Sequence, residues 1–231
     1  MKKLSILALI AAIGAATGAE AFGRIENPLY RPDEGKLYSI TETYRTSYDW
    51  GNDILVGQTL GYGISSKLSV YGGLDWSRWS TSDDSDSDLN NWNLGLSYRY
   101  MSGKTIGDIY GGYTKGFTDF SDTDRFTIGT NIGVVRGDTT VAVNAELNLE
   151  NGDDPDTTVL GVVAAHQFSK KWAGSAGLDY IIVSGSDNDN QMWLKIEGYY
   201  ALKGNSSVAM FFHRELEDSN DRFGARYAVQ F

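Results

Sequence analysis

Short basic turns and longer acidic loops alternate strictly along this chain from about Lys36 to Phe231. The tight turns fall near Ser65-Ser66-Lys67, Ser102-Gly103-Lys104, Arg136-Gly137-Asp138, Ser169-Lys170-Lys171 and Lys203-Gly204-Asn205, and each carries a Lys or Arg. Gly, Asn and Ser supply the backbone freedom such turns need. The other connections fall near Asp49–Asp53, Ser80–Asn90, Thr118–Asp124, Asn151–Asp156, Gly185–Asn190 and Glu217–Asp221, and all are acidic. Asp and Asn favour turns anyway. That accounts for the acids but not for their alternation with basic turns, which implies two chemically distinct ends. Five turns and six loops join twelve strands, or ten or fourteen if an irregular stretch is misread. An even number returns both termini to one end.

The stretches between connections alternate as half-buried strands do. Ile54, Val56, Leu60 and Tyr62 share a face, as do Leu68, Val70, Leu74 and Trp76, and Trp92, Leu94, Leu96, Tyr98 and Tyr100. Phe126, Ile128, Ile132 and Val134 follow, then Val141, Val143, Ala145, Leu147 and Leu149. Trp172, Ala176, Leu178, Tyr180 and Ile182 form another such face, and Met192, Leu194, Ile196 and Tyr200 the next. Strands one, five, eight and eleven alternate less cleanly, and the fifth is rich in glycine. Most stretches run about 10–13 residues, and a tilted strand needs roughly 9–11 to cross hydrocarbon. A soluble sandwich could also alternate, but its strands usually run only about 5–6 residues. None of the three prolines falls inside an expected strand. The mean hydropathy of −0.32 reads as soluble, yet a membrane barrel escapes such a measure because only every second residue meets lipid.

The last ten residues sharpen this reading. Phe223, Ala225, Tyr227, Val229 and Phe231 lie on one face of a final strand that stops on an aromatic carboxyl terminus. Such an ending resembles the assembly signal of bacterial outer-membrane β-barrels, carried here by Phe223, Tyr227, Val229 and Phe231. The resemblance covers Met1–Ala21 and Lys36–Phe231 and identifies a class, a small porin-like one, rather than a family. It implies an all-β fold, a transmembrane antiparallel up-and-down β-barrel of about twelve strands. It also implies contact with the barrel-assembly machinery, outer-membrane lipid and lipopolysaccharide, and a monomer as the working unit. Two aromatic girdles are expected: Trp50, Trp76, Trp79, Trp92 and Phe117 near loop ends, and Tyr62, Tyr98, Tyr100, Phe168, Trp172 and Phe231 near turn ends.

The start of the chain agrees. Lys2 and Lys3 precede an apolar run, about Leu4–Ala16, and Ala19-Glu20-Ala21 supplies a cleavage site. Residues 1–21 read as a secretory signal peptide. Residues 22–35, with Pro28 and Pro32, read as a lead-in at the turn end or within the lumen, and 36–231 as the barrel. The absence of cysteine suits a chain exported through an oxidising compartment. A net charge of −10 argues against nucleic acid as a partner.

The opposite faces of the strands should line a lumen. They offer Arg45, Asp75, Arg99, Glu146, Asp179, Lys195, Glu197, His213, Glu215 and Arg226, among Gly, Ala, Ser, Thr and Asn. Charges of both signs in a confined space should pair. The result is either a narrow polar channel for small hydrophilic solutes or a filled, rigid barrel that works through its loops. Small twelve-stranded channels for acidic sugars have strongly basic linings, and this mixed set departs from them. Acidic loops at the mouth should concentrate cations, giving a weak cation preference. An enzyme is the third reading. His213 shares a face with Glu215, which could orient an imidazole, but no nearby serine completes a triad. His166 should face lipid beside Phe168. Asp84, Asp86 and Asp88 have the spacing of half a calcium loop, yet Leu89 stands where a glycine is required and the distal Glu is missing. No cofactor or metal is expected.

Overall fold

The computed structural model describes residues 32–82, 84–117, 124–151, 155–185, 190–202, 205–218 and 220–231. The expected signal peptide, residues 1–21, and most of the expected lead-in lie outside the described residues. The twelve strands are β1 (Leu37–Tyr48), β2 (Gly51–Gly63), β3 (Leu68–Ser80), β4 (Ser85–Met101), β5 (Thr105–Gly116), β6 (Asp124–Arg136), β7 (Thr139–Asn151), β8 (Thr157–Gln167), β9 (Trp172–Val183), β10 (Gln191–Ala201), β11 (Ser206–Glu215) and β12 (Asp221–Gln230). Each pairs antiparallel with its neighbours in sequence, and β12 pairs with β1 to close the ring. The closing register runs from Tyr38 opposite Gln230 to Ser47 opposite Asp221. Beyond it, the Phe231 N–H donates to the Leu37 carbonyl at 2.7 Å. Closure leaves no strand edge unpaired.

The apolar side chains are on the outside. Leu94, Leu96, Ile128, Val143 and Met210 are each more than half exposed. What is buried is small or polar, such as Ala142, Thr46, Ser207, Asp108 and Glu215. This inside-out arrangement is matched to hydrocarbon around the barrel. Aromatic residues mark the loop end of the belt, where Trp92 meets Tyr113 and Tyr113 meets Phe126, with ring centroids 5.7 and 4.9 Å apart. At the turn end Trp172 lies 4.7 Å from Tyr200. Trp79 departs from the expected girdle. It pairs with inward-facing Asp53 and so points into the barrel. His166 is outward, 2.9 Å from the Thr139 hydroxyl and 5.0 Å from the Phe168 ring.

The expected acidic loop at Ser80–Asn90 is mostly strand. The connection shrinks to residues 81–84, and pairing continues from Ser80 opposite Ser85 down to a bulge where Asp75 faces Asn91 and Trp76 faces Leu89. Asp84, Asp86 and Asp88 each accept the next residue's backbone N–H, at 2.8, 2.7 and 2.7 Å. On an extended strand, alternate residues stand roughly 7 Å apart. These carboxylates therefore satisfy local amides and do not converge on a cation. No metal-holding cluster occurs among the described residues.

Inward aromatic rings lie flat on glycines of the next strand. Tyr38 faces Gly61, Tyr71 faces Gly95, Tyr110 faces Gly129 and Phe211 faces Gly224 as Cα partners. A Cβ at any of these glycines would overlap the ring. The rings thus pave the inner wall. The four glycines differ in what else is near. At Gly95 the atoms in the way belong to the free end of Tyr71, whereas at Gly224 the Thr43 carbonyl and Tyr44 Cβ also stand 2.6 Å away. Gly224→Ala should therefore destabilise the folded barrel by about 2 kcal/mol. Gly95→Ala should cost less than about 1 kcal/mol, because the ring can swing aside. Urea titration of the refolded barrel in detergent, read by gel mobility, checks the contrast.

Candidate functional site

Among the described residues, a dense set of charged and hydroxylic side chains gathers in the lumen. It divides into two walls. On β1 and β9–β12 the wall is charged. Lys195 Nζ donates to Asp179 at 2.7 Å. Arg226 bridges two acids: its Nε reaches Glu42 at 2.6 Å, and its Nη1 reaches Glu197 at 3.2 Å across the intervening β11. Small Ala209 on β11 leaves room for that crossing. Glu197 also accepts from the Tyr199 hydroxyl at 2.8 Å and meets His213 Nε2 at 3.1 Å. Phe211 underlies both of these groups, with His213 stacked at 4.8 Å and the Arg226 guanidinium 5.1 Å from the ring centre. Nearer the loop end, Arg222 sits 4.6 Å from the Tyr44 ring and 5.0 Å from that of Trp193, and Nε donates to Thr46.

The facing wall, on β3–β7, is aromatic and hydroxylic. Arg99 and Asp108 form a two-pronged pair, both bonds 2.9 Å. Tyr110 donates to Glu146 at 2.8 Å, and Asn148 donates to the same carboxylate at 3.0 Å. Arg125 pairs with Glu150 toward the loops.

Between the walls is a cavity of about 490 Å³, bounded by Tyr110, Asn131 and Asn144 on one side and Lys195, Glu197 and Arg226 on the other. A second, of about 260 Å³, lies toward the turn end and shares Tyr110 and Asn131 with the first. Pro32 borders it. The lead-in residues next to Pro32 lie against the inner wall: Gly35 N–H donates to the Gly63 carbonyl at 2.8 Å, and Gln230 reaches Asp33 at 3.2 Å.

Asp75, Arg99, Glu146, Asp179, Lys195, Glu197, His213, Glu215 and Arg226 all face inward. Arg45 does not. Its Cα partners are outward-facing Phe223 and Ile54, and its guanidinium bonds Asn52 on the outside at 3.0 and 2.6 Å. The first strand misleads because its inward face, with Tyr38, Ile40 and Tyr44, is the more apolar-looking one. The register to β12 settles it. His213 and Glu215 do not meet as a pair: the imidazole goes to Glu197, and Glu215 accepts from Asn220 at 2.5 Å.

Sequence reasoning also passed over inward Glu42, Asp53, Asp108, Arg125, Glu150 and Arg222. Arg222 has the parity of Arg226 and could have been found from it. Asp108 lies in the glycine-rich strand whose facing alternation alone does not fix. With these included and Arg45 removed, lumen acids outnumber lumen bases. The lining is acidic rather than balanced.

No family model matches the chain, and no curated protein matches it. Solved structures share its fold. The NanC porin has a TM-score of 0.64 at 6% identity, covering 83% of this chain and 98% of that one. The KdgM porin, solved in complex with disordered oligogalacturonate, has 0.60 at 12% identity, covering 81% and 98%. The CymD monoaromatic hydrocarbon channel has 0.53 at 12% identity, covering 96% and 95%. The architecture is that of outer-membrane β-barrels.

Arg226 is the only described cation between Glu42 and Glu197. Arg226→Ala removes the guanidinium from Glu42 and leaves Glu197 with the Tyr199 hydroxyl and His213. We expect a loss of about 2 kcal/mol in unfolding free energy, below the usual 3–5 for a dry pair because the lumen admits water. Adding Glu42→Gln should recover part of it, as urea titration of the single and double variants will show.

Proposed function

We propose that this protein is a small, monomeric, porin-like channel of the bacterial outer membrane that passes small hydrophilic solutes and weakly prefers cations. The observation that carries the proposal is the pair of polar cavities stacked inside the ring, with shared lining residues and an acid-rich wall. The glycines opposite Tyr38, Tyr71, Tyr110 and Phe211 support it, since they make room for those rings at the wall. The ion pairs support it too. Each stays close to the wall, along one strand pair or across a single strand, and none spans the bore among the described residues.

The acid surplus distinguishes this lumen from one built for a polyanion. The KdgM porin was solved with oligogalacturonate; a chain of carboxylates entering here would meet Glu42, Asp75, Asp179 and Glu197. A cation or neutral solute meets no such barrier. Export by the amino-terminal segment and recognition of Phe223, Tyr227, Val229 and Phe231 by the barrel-assembly machinery complete the reading. So does an apolar belt seated among outer-membrane lipid and lipopolysaccharide. The protein is not an enzyme on this reading, because the imidazole of His213 is held between Glu197 and Phe211.

A barrel sealed by its own network and acting through its acidic loops is the competing reading, favoured by the density of bonds around Glu197. Reconstitution in a planar bilayer separates the two. The channel should show stable conductance steps and a reversal potential favouring potassium over chloride. That preference should fade at high ionic strength, where screening shortens to about 3 Å at 1 M. Asp75→Lys or Glu146→Lys should move the reversal potential toward chloride. A folded barrel without steps would establish the sealed form.

A further inference from the structure

We propose that the turn-end cavity is a binding subsite for one uncharged, hexose-sized sugar ring. This deepens the channel reading, on which solutes reach the lumen, and names the solute class that would dwell there. Three tyrosines on alternate strands, Tyr38, Tyr71 and Tyr110, line the cavity. The glycine opposite each one leaves room for its ring over the neighbouring strand, where a Cβ would collide with it. A sugar ring has the complementary form, a patch of C–H groups on its faces and hydroxyls around its rim. Apolar surface with a few placed polar groups is how small-molecule sites are generally built.

Polar groups stand where the rim would be. Glu146 accepts one bond on each carboxylate oxygen, from Tyr110 and from Asn148. Each oxygen of an ionised carboxylate can accept two, so both retain capacity for a sugar hydroxyl. Asp108 lies across the same cavity with Arg99 bound to it. The lining thus presents acceptors and no uncommitted cation. A uronate would be repelled, and a ring without hydroxyls would leave the carboxylates unsatisfied.

Size points the same way. A cavity of about 260 Å³ lies at the small end of ligand pockets, which usually run about 300–1,000 Å³, and so suits a single ring. Pro32 of the lead-in borders the cavity at the turn end, and Asp33 is tied to Gln230, so the described lead-in residues form part of its lining.

The test is equilibrium binding to the full-length folded barrel in detergent, by calorimetry or saturation-transfer NMR, with glucose, glucuronate and cyclohexanol as probes. Glucose should bind saturably, and the other two should not. Tyr71→Ala should weaken glucose by about fivefold or more, and Tyr71→Phe, which keeps the ring, by less than about twofold. Arg45→Ala, on the outer face, should leave affinity within about twofold. Gel mobility confirms that each variant is folded, and Tyr38→Ala replaces Tyr71→Ala if the latter is not. No saturable glucose binding, equal binding of glucuronate, or indifference to loss of the ring overturns the proposal. A barrel that conducts without binding glucose loses the subsite and keeps the pore. One that binds glucose without conducting keeps the subsite and loses the pore.

Discussion

Everything in this structure depends on β1 and β12 finding each other. A strand in hydrocarbon has no water to satisfy its amides, so an open sheet would leave two rows of unmet donors and acceptors. Closure removes both rows and imposes a second condition. A ring of paired strands has a single inside, so the facing chosen on any strand must agree with that of its partners all the way round. A slip of one residue anywhere would turn a strand's greasy face to the lumen. The two irregularities in register both involve β4, one where Asp75 faces Asn91 and Trp76 faces Leu89, the other between Arg99 and Met101. They sit near the two ends of the crossing. Between them, from Trp92 to Tyr98, alternation is unbroken.

The interior solves a different problem. Twelve strands enclose more space than side chains can fill, yet charges placed there must be neutralised. The chain uses glycine to thin the wall and aromatic rings to cover the thinned places. It then keeps each cation beside its anion along the wall. Arg226 shows how short the reach is: it crosses only the small Ala209 of β11 to touch Glu197. Stiffness of the wall and openness of the bore are therefore compatible, since the bonds that give the first do not occupy the second.

Much of this was legible in the residues before any coordinates. The strand number, both kinds of connection and the outward faces of the regular strands follow from period-two alternation and turn chemistry. Facing fails where alternation carries no contrast. On β1 the inward side offers Tyr38, Ile40 and Tyr44, and the outward side is mostly Ser and Thr, so hydrophobicity points the wrong way and Arg45 is misplaced. On β5, Gly107, Gly111 and Gly112 erase the signal. The Asp-Ser run before Leu89 looks like a loop by composition but pairs as strand, because β3 continues upward and offers it a partner. What alternation cannot supply at all is height. Glu197, His213 and Arg226 share a lumen by parity, but their meeting depends on the stagger of three strands.

The very low identity to barrels of the same shape follows from the same physics. Lipid asks of each outward position only that it be apolar, and closure asks of each strand only its length and parity. Many sequences satisfy both, which is how a TM-score of 0.64 can accompany 6% identity. The lumen answers to neither demand beyond charge compensation. Its composition is the part of such a chain that is free to specialise. The acid-rich lining and the tyrosines set among it are thus where the proposed channel would take its selectivity.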